Sequence, residues 1–150
     1  MSKPNIKAAP TNKSLPVLIE MRPAWRISLM LLVIDLVGED KGYIDYKKLV
    51  VLIWMVIRTK HWPEYQKFLS GGEEIPFISV DTATQKALEL AANKSFVKAE
   101  DSRVYLLEEG KKIVELILEN QLLASESAFL KEYGKKLTSK KVDQIMGKGN

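Results

Sequence analysis

Nine consecutive apolar residues, "LVVLIWMVI" (Leu49–Ile57), lie between Lys47-Lys48 and Arg58-Thr59-Lys60, and any fold of this chain has to cover them. A bilayer-spanning helix needs about 20 apolar residues, and here charge arrives on both sides first, so lipid is the poorest cover. Val50, Val51, Ile53, Val56 and Ile57 are β-branched and would suit a buried strand. The preceding Asp45, a good helix cap, and the length of 46–58 favour a helix instead. Helical spacing puts Leu49, Val50, Ile53, Val56 and Ile57 on a face turned toward the first and third helices. Val51, Trp54, Met55 and Arg58 then point elsewhere. Trp54 and Met55 are poor residues to leave in water, so the run reads as half core and half partner surface.

Composition narrows the chemistry. With 150 residues, 46% hydrophobic and 28% charged, the chain is long enough for one domain with its own core. It has no cysteine and a single histidine, His61. Disulfides, thiol catalysis, zinc-thiolate sites and histidine clusters are therefore excluded. The first 20 residues hold three prolines and an apolar run too late and too short for a signal peptide, so a cytoplasmic location is the expectation. The net charge of +4 is uneven. Through residue 130 there are 17 basic and 17 acidic side chains, while the last 20 residues carry six lysines against Glu132 and Asp143. Such a basic segment suits electrostatic contact with phosphate backbones, or a solvated helix end.

Residues 1–20 read as a flexible or docking arm. Pro23 suits the first turn of a helix over 24–37, with Ile27, Met30, Leu31, Ile34 and Val37 as its apolar stripe and Gly38 closing it. Asp35 in this helix reads as a surface group or a partner for Arg22 or Arg26. Tyr43-Ile44 suits a short β-bridge, and the connector 59–77 carries an aromatic load that predicts partial packing, with a short helix around 64–69. A helix follows over 79–94, capped by Ser79 or Asp81. Two apolar runs flanking Asp101-Ser102 predict a hairpin. A long helix is expected over 108–137, interrupted near Gly134 and Thr138-Ser139, then a last weak helix over 139–146.

That order predicts a mainly α protein with a small β-hairpin wing, a winged helix-turn-helix with an extended C-terminal helix. Its parts would be the arm, a winged-helix domain over 21–120 and a basic helical tail over 121–150. The stretch 96–117 resembles the wing and exit helix of MarR-type proteins, through the corner Leu107-Glu108-Glu109-Gly110. Leu107 stands where that family usually has a capping threonine. The expected recognition helix would present Thr82, Gln85, Lys86, Glu89 and Asn93, a stripe with no arginine and an acid facing phosphate. Candidate nucleic-acid contacts are Lys86, Asn93, Lys94 and Arg103, with Lys135, Lys136, Lys140 and Lys141 as backbone contacts. Candidate partner contacts are Trp54, Met55, Trp62, Tyr65 and Phe68. No nucleophile triad, carboxylate dyad or phosphate loop can be picked out, so neither an enzyme nor a cofactor is expected.

Across residues 22–118 the layout is similar to the middle component of bacterial ABC-three-component systems, the Lamassu-type anti-phage systems built around an SMC-like ATPase. The similarity lies in the arginine-led first helix, the Asp-capped second helix, the long connector and the Tyr-bearing strand before the Glu-Gly exit helix. It implies a non-enzymatic adaptor that bridges the coiled-coil ATPase and an effector subunit, with DNA contact as an option and no membrane. The alternative is a stand-alone dimeric winged-helix transcription regulator; a homodimer is compatible with both.

Overall fold

The computed structural model describes residues 22–148, so the expected N-terminal arm lies outside the described residues. In chain order the elements are α1 (Pro23–Val37), β1 (Tyr43–Asp45), α2 (Tyr46–Ile57), α3 (Trp62–Leu69) after a 3-10 turn at Thr59–His61, and α4 (Thr82–Asn93). Then come β2 (Val97–Glu100), β3 (Arg103–Leu106), α5 (Glu108–Glu119), α6 (Ala124–Tyr133), a 3-10 turn at Gly134–Lys136, and α7 (Ser139–Lys148). The protein is mainly helical with one small antiparallel sheet.

α1 begins at Pro23, whose missing N–H costs nothing in a first turn. Its apolar residues do not form one stripe: Leu29, Met30, Leu31, Leu32 and Val33 are all without accessible surface. A helix that is apolar all round belongs inside a protein, and α2, α4, α5 and α6 all pack against this one. The single-face reading of α1 is therefore too narrow.

α2 is capped as expected. The Asp45 carboxylate accepts from the Lys47 and Lys48 amides at 3.0 and 3.3 Å, a contribution of about 1 kcal/mol. The structure corrects the division of the Leu49–Ile57 run. Val51 and Met55, assigned to a partner surface, are as buried as Leu49 and Ile53. α3, α6 and α7 cover the second face of α2. Phe129, Leu130, Leu137, Val142 and Ile145 from this C-terminal region join the same core. The segment after residue 120 is part of the core, and its lysines ride on packed elements.

The long helix expected over 108–137 is in fact two. α5 ends in a Schellman pattern, Leu122 N–H to the Ile117 carbonyl (2.9 Å) and Gln121 N–H to that of Leu118 (3.2 Å). Asn120 also donates its side-chain amide to the Leu116 carbonyl at 2.8 Å. Gln121 and Leu123 take left-handed φ angles of 55° and 54°, and the chain turns so that α6 packs back on α1.

The sheet has the order β1-β3-β2, all antiparallel. Asp101 and Ser102 form the expected hairpin turn, both left-handed at φ 52° and 65°, as a twisted two-residue turn requires. Ile44, Val97, Val104 and Leu106 face the core. The corner Leu107–Gly110 has a steric basis. Leu107 sits at the N-cap without a side-chain bond, and Glu108 and Glu109 occupy the positive first turn. A Cβ on Gly110 would lie 2.4 Å from the Phe96 carbonyl oxygen, so glycine is what lets α5 press against the start of β2.

Two substitutions test this geometry by urea denaturation. Gly110→Ala should destabilise by about 1–3 kcal/mol, the usual cost of overpacking. Gln121→Gly should stabilise by about 1 kcal/mol by relieving the left-handed residue.

Candidate functional site

A buried ionic corner joins three elements. Arg26 on α1 has only 3% of its side chain exposed. One of its Nη1 protons goes to Thr84 Oγ1 at 3.0 Å, and the same nitrogen lies 3.4 Å from Asp81 Oδ2. Asp81 also caps α4, accepting from the Thr84 amide at 2.8 Å. Of the two readings of Asp35, a surface group or a partner for Arg22 or Arg26, the structure gives the surface one, and Arg26 pairs with Asp81. Desolvation works to raise the Asp81 carboxyl. The Thr84 hydroxyl and amide together with Arg26 and Arg58 outweigh it, and the group ends below its ordinary value.

Arg58 completes the corner. Its guanidinium lies 3.3 Å over the Trp54 ring and donates to the Trp54 carbonyl at 3.3 Å. Desolvation lowers its pKa, with Tyr65 and Asp81 opposing, and burial raises the Tyr65 hydroxyl. The arrangement pins the α2–α3 junction and the α4 N-terminus to α1. It holds Arg26, Asp81 and Arg58 in fixed partnerships.

The residues expected to meet a partner are consumed by this interior. Met55, Tyr65 and Phe68 are buried. Trp62 stacks on Phe129 at 4.6 Å and donates Nε1 to the Met55 carbonyl at 3.0 Å. Trp54 is half-buried beneath Arg58 and the edge of Phe77. Of the aromatic connector Phe77 stays widely open, at 66% exposure, and His61 is exposed as well. The apolar surface lies elsewhere, on Leu90 of α4 and on Leu116, Leu118 and Leu122 of α5 and the turn after it. The sequence signal for it was present. Leu116, Leu118 and Leu122 fall off the face that Gly110, Val114 and Ile117 of α5 turn inward.

Leu90, Phe96 and Ile113, with Pro23, Ala24 and Ile27 of α1, line an apolar groove of about 380 Å³. Lys94 stands at its edge. The other expected nucleic-acid residues are spread over α4, β3, the Gly134–Lys136 turn and α7. Lys86 and Asn93 are exposed on α4 and Arg103 on β3. Lys135 borders a cleft with Lys48, Glu39 and Asp40, where no α4 residue takes part. Lys136 sits 5.1 Å from the Tyr133 ring and Lys141 5.4 Å from that of Phe68. Lys140 is exposed in the first turn of α7. Desolvation lowers the Lys48 pKa, with Glu39 pulling up and Lys135 down.

Among the described residues no group of three His, Asp or Glu side chains is placed to hold a metal, and no helix is long and apolar enough to cross a membrane. Comparison with protein families, with curated proteins and with solved structures gives no match for this chain.

The ionic corner has a definite pH signature. A carboxyl lowered on folding stabilises the fold above its unfolded value of 3.8. That stability drains away as pH falls through the lower folded value. Asp81→Asn keeps a capping side chain and removes the charge. Its destabilisation should be clear at pH 7 and shrink steadily below about pH 4 in urea melts.

Proposed function

We propose that this chain is a winged-helix accessory subunit with no chemistry of its own, seating a helix of an SMC-like coiled-coil ATPase and bridging it to an effector. The observation that carries the reading is the apolar groove between α1, α4 and α5. One turn beyond Ile113, Leu116 extends its apolar border along α5 with 57% exposure. An amphipathic helix laid into such a groove buries its i, i+3, i+4 and i+7 residues. Contiguous apolar surface beyond what a monomer usually leaves open marks an interaction site. Helix order, hairpin and glycine corner supply the resemblance to the middle component of the three-component defence systems. DNA contact enters this reading only as an addition, through Lys86, Asn93, Lys94 and the C-terminal lysines.

The competing reading, a stand-alone dimeric regulator, draws on the exposed polar side of α4, where Gln85, Lys86 and Asn93 face solvent. Glu89 on the same exposed side opposes phosphate contact.

Co-purification from the native operon separates the two. Recovery of the coiled-coil ATPase, lost in a Leu90→Glu, Ile113→Glu variant that still melts cooperatively, is the expected result. A homodimer that shifts a specific promoter fragment, with no ATPase bound, would overturn the adaptor reading.

A further inference from the structure

The outward face of the sheet is a second surface, unrelated to the groove. Strand alternation and register place two cross-strand rows on it: Tyr43, Tyr105 and Lys98, then Asp45, Arg103 and Glu100. The tyrosine rings lie side by side, 5.4 Å between centroids and tilted by 46°, and both stay half-buried. The Arg103 guanidinium is 4.4 Å from the Tyr43 ring centre, and Lys98 Nζ is 5.9 Å from that of Tyr105. Cross-strand stacking alone explains an aromatic pair. It does not explain why a cation stands over each ring, in the place a stacked base would take.

We propose that this face binds single-stranded nucleic acid, with two successive bases stacking on Tyr43 and Tyr105 while Lys98 and Arg103 meet the flanking phosphates. Aromatic platforms bordered by cations hold single strands because every base has a π-face. A duplex hides those faces. It would also bring two phosphate backbones toward Glu100 and Asp101 at the hairpin end, both exposed acids. A single strand meets fewer acids. The Asp45 carboxylate is occupied by the Lys47 and Lys48 amides, and Glu100 lies 3.3 Å from Lys98 Nζ. Phosphate would compete for Lys98, so binding should be weak and salt-sensitive.

The proposal does not depend on the adaptor reading, because the groove and the sheet face share no residue. The test is fluorescence anisotropy of end-labelled dT12, U12 and a 12-base-pair duplex with the full chain at low salt. Both single strands should bind at least about tenfold tighter than the duplex; tighter binding of only one would assign the strand to DNA or RNA. Tyr43→Leu and Tyr105→Leu should each weaken binding about fivefold or more, while Tyr43→Phe and Tyr105→Phe should retain it. Lys98→Gln and Arg103→Gln should each reduce the salt slope by about one; Lys67→Gln, at an exposed position of α3, should not alter single-strand binding. Duplex preference, absence of binding, or leucine variants that fold and bind like the parent protein would each overturn the proposal.

Discussion

A helix whose middle has no wet side has to be enclosed, and the dehydration of α1 from Leu29 to Ile34 governs the rest of this architecture. Leu29 to Val33 expose nothing, so neighbours must arrive from every direction, and α2, α4, α5 and α6 do. Burying each such Leu, Ile or Met contributes roughly 1.5–3 kcal/mol. The same enclosure makes a charge on α1 expensive. Arg26 is tolerated because Asp81 and Thr84 meet its guanidinium, and the residue that meets it also starts α4. One carboxylate thus ties the orientation of α4 to the core.

Local chemistry was legible where a residue acts on its own backbone. Asp45 and Asp81 cap as their position suggested, Asp101-Ser102 turns the hairpin, and Tyr43-Ile44 pairs with β3. Long-range burial was harder to read. An apolar run gives the amount of surface to be hidden and leaves its cover unspecified. Trp54 and Met55 looked like a partner surface because helical spacing turns them off the face that meets the first and third helices. In the structure Phe129, Leu130, Leu137, Val142 and Ile145 hide between those lysines and close over α2. The break in the 108–137 helix was also obscure, because Gln121 and Leu123 are not residues that usually take left-handed φ.

The candidate surfaces divide along the same line. Exposed positions on α4 and Arg103 were readable from spacing, but their grouping was not. Lys94 borders the apolar groove, Lys135 borders a cleft with Lys48, Glu39 and Asp40, and Arg103 belongs to a tyrosine-lined sheet face. Cross-strand register sets that last neighbourhood: Tyr43 and Tyr105 are 62 positions apart and directly opposite on adjacent strands.

The dependence of α2 on α6 and α7 also orders events during synthesis. As the chain leaves the ribosome, α1 and α2 emerge with most of their apolar surface, and every residue that seals the far side of α2 is still to be translated. At about 5–20 residues per second, the nascent chain carries an open hydrophobic seam for several seconds until Val142 and Ile145 appear. Until α7 has emerged, the unfinished chain is a natural client for holding chaperones.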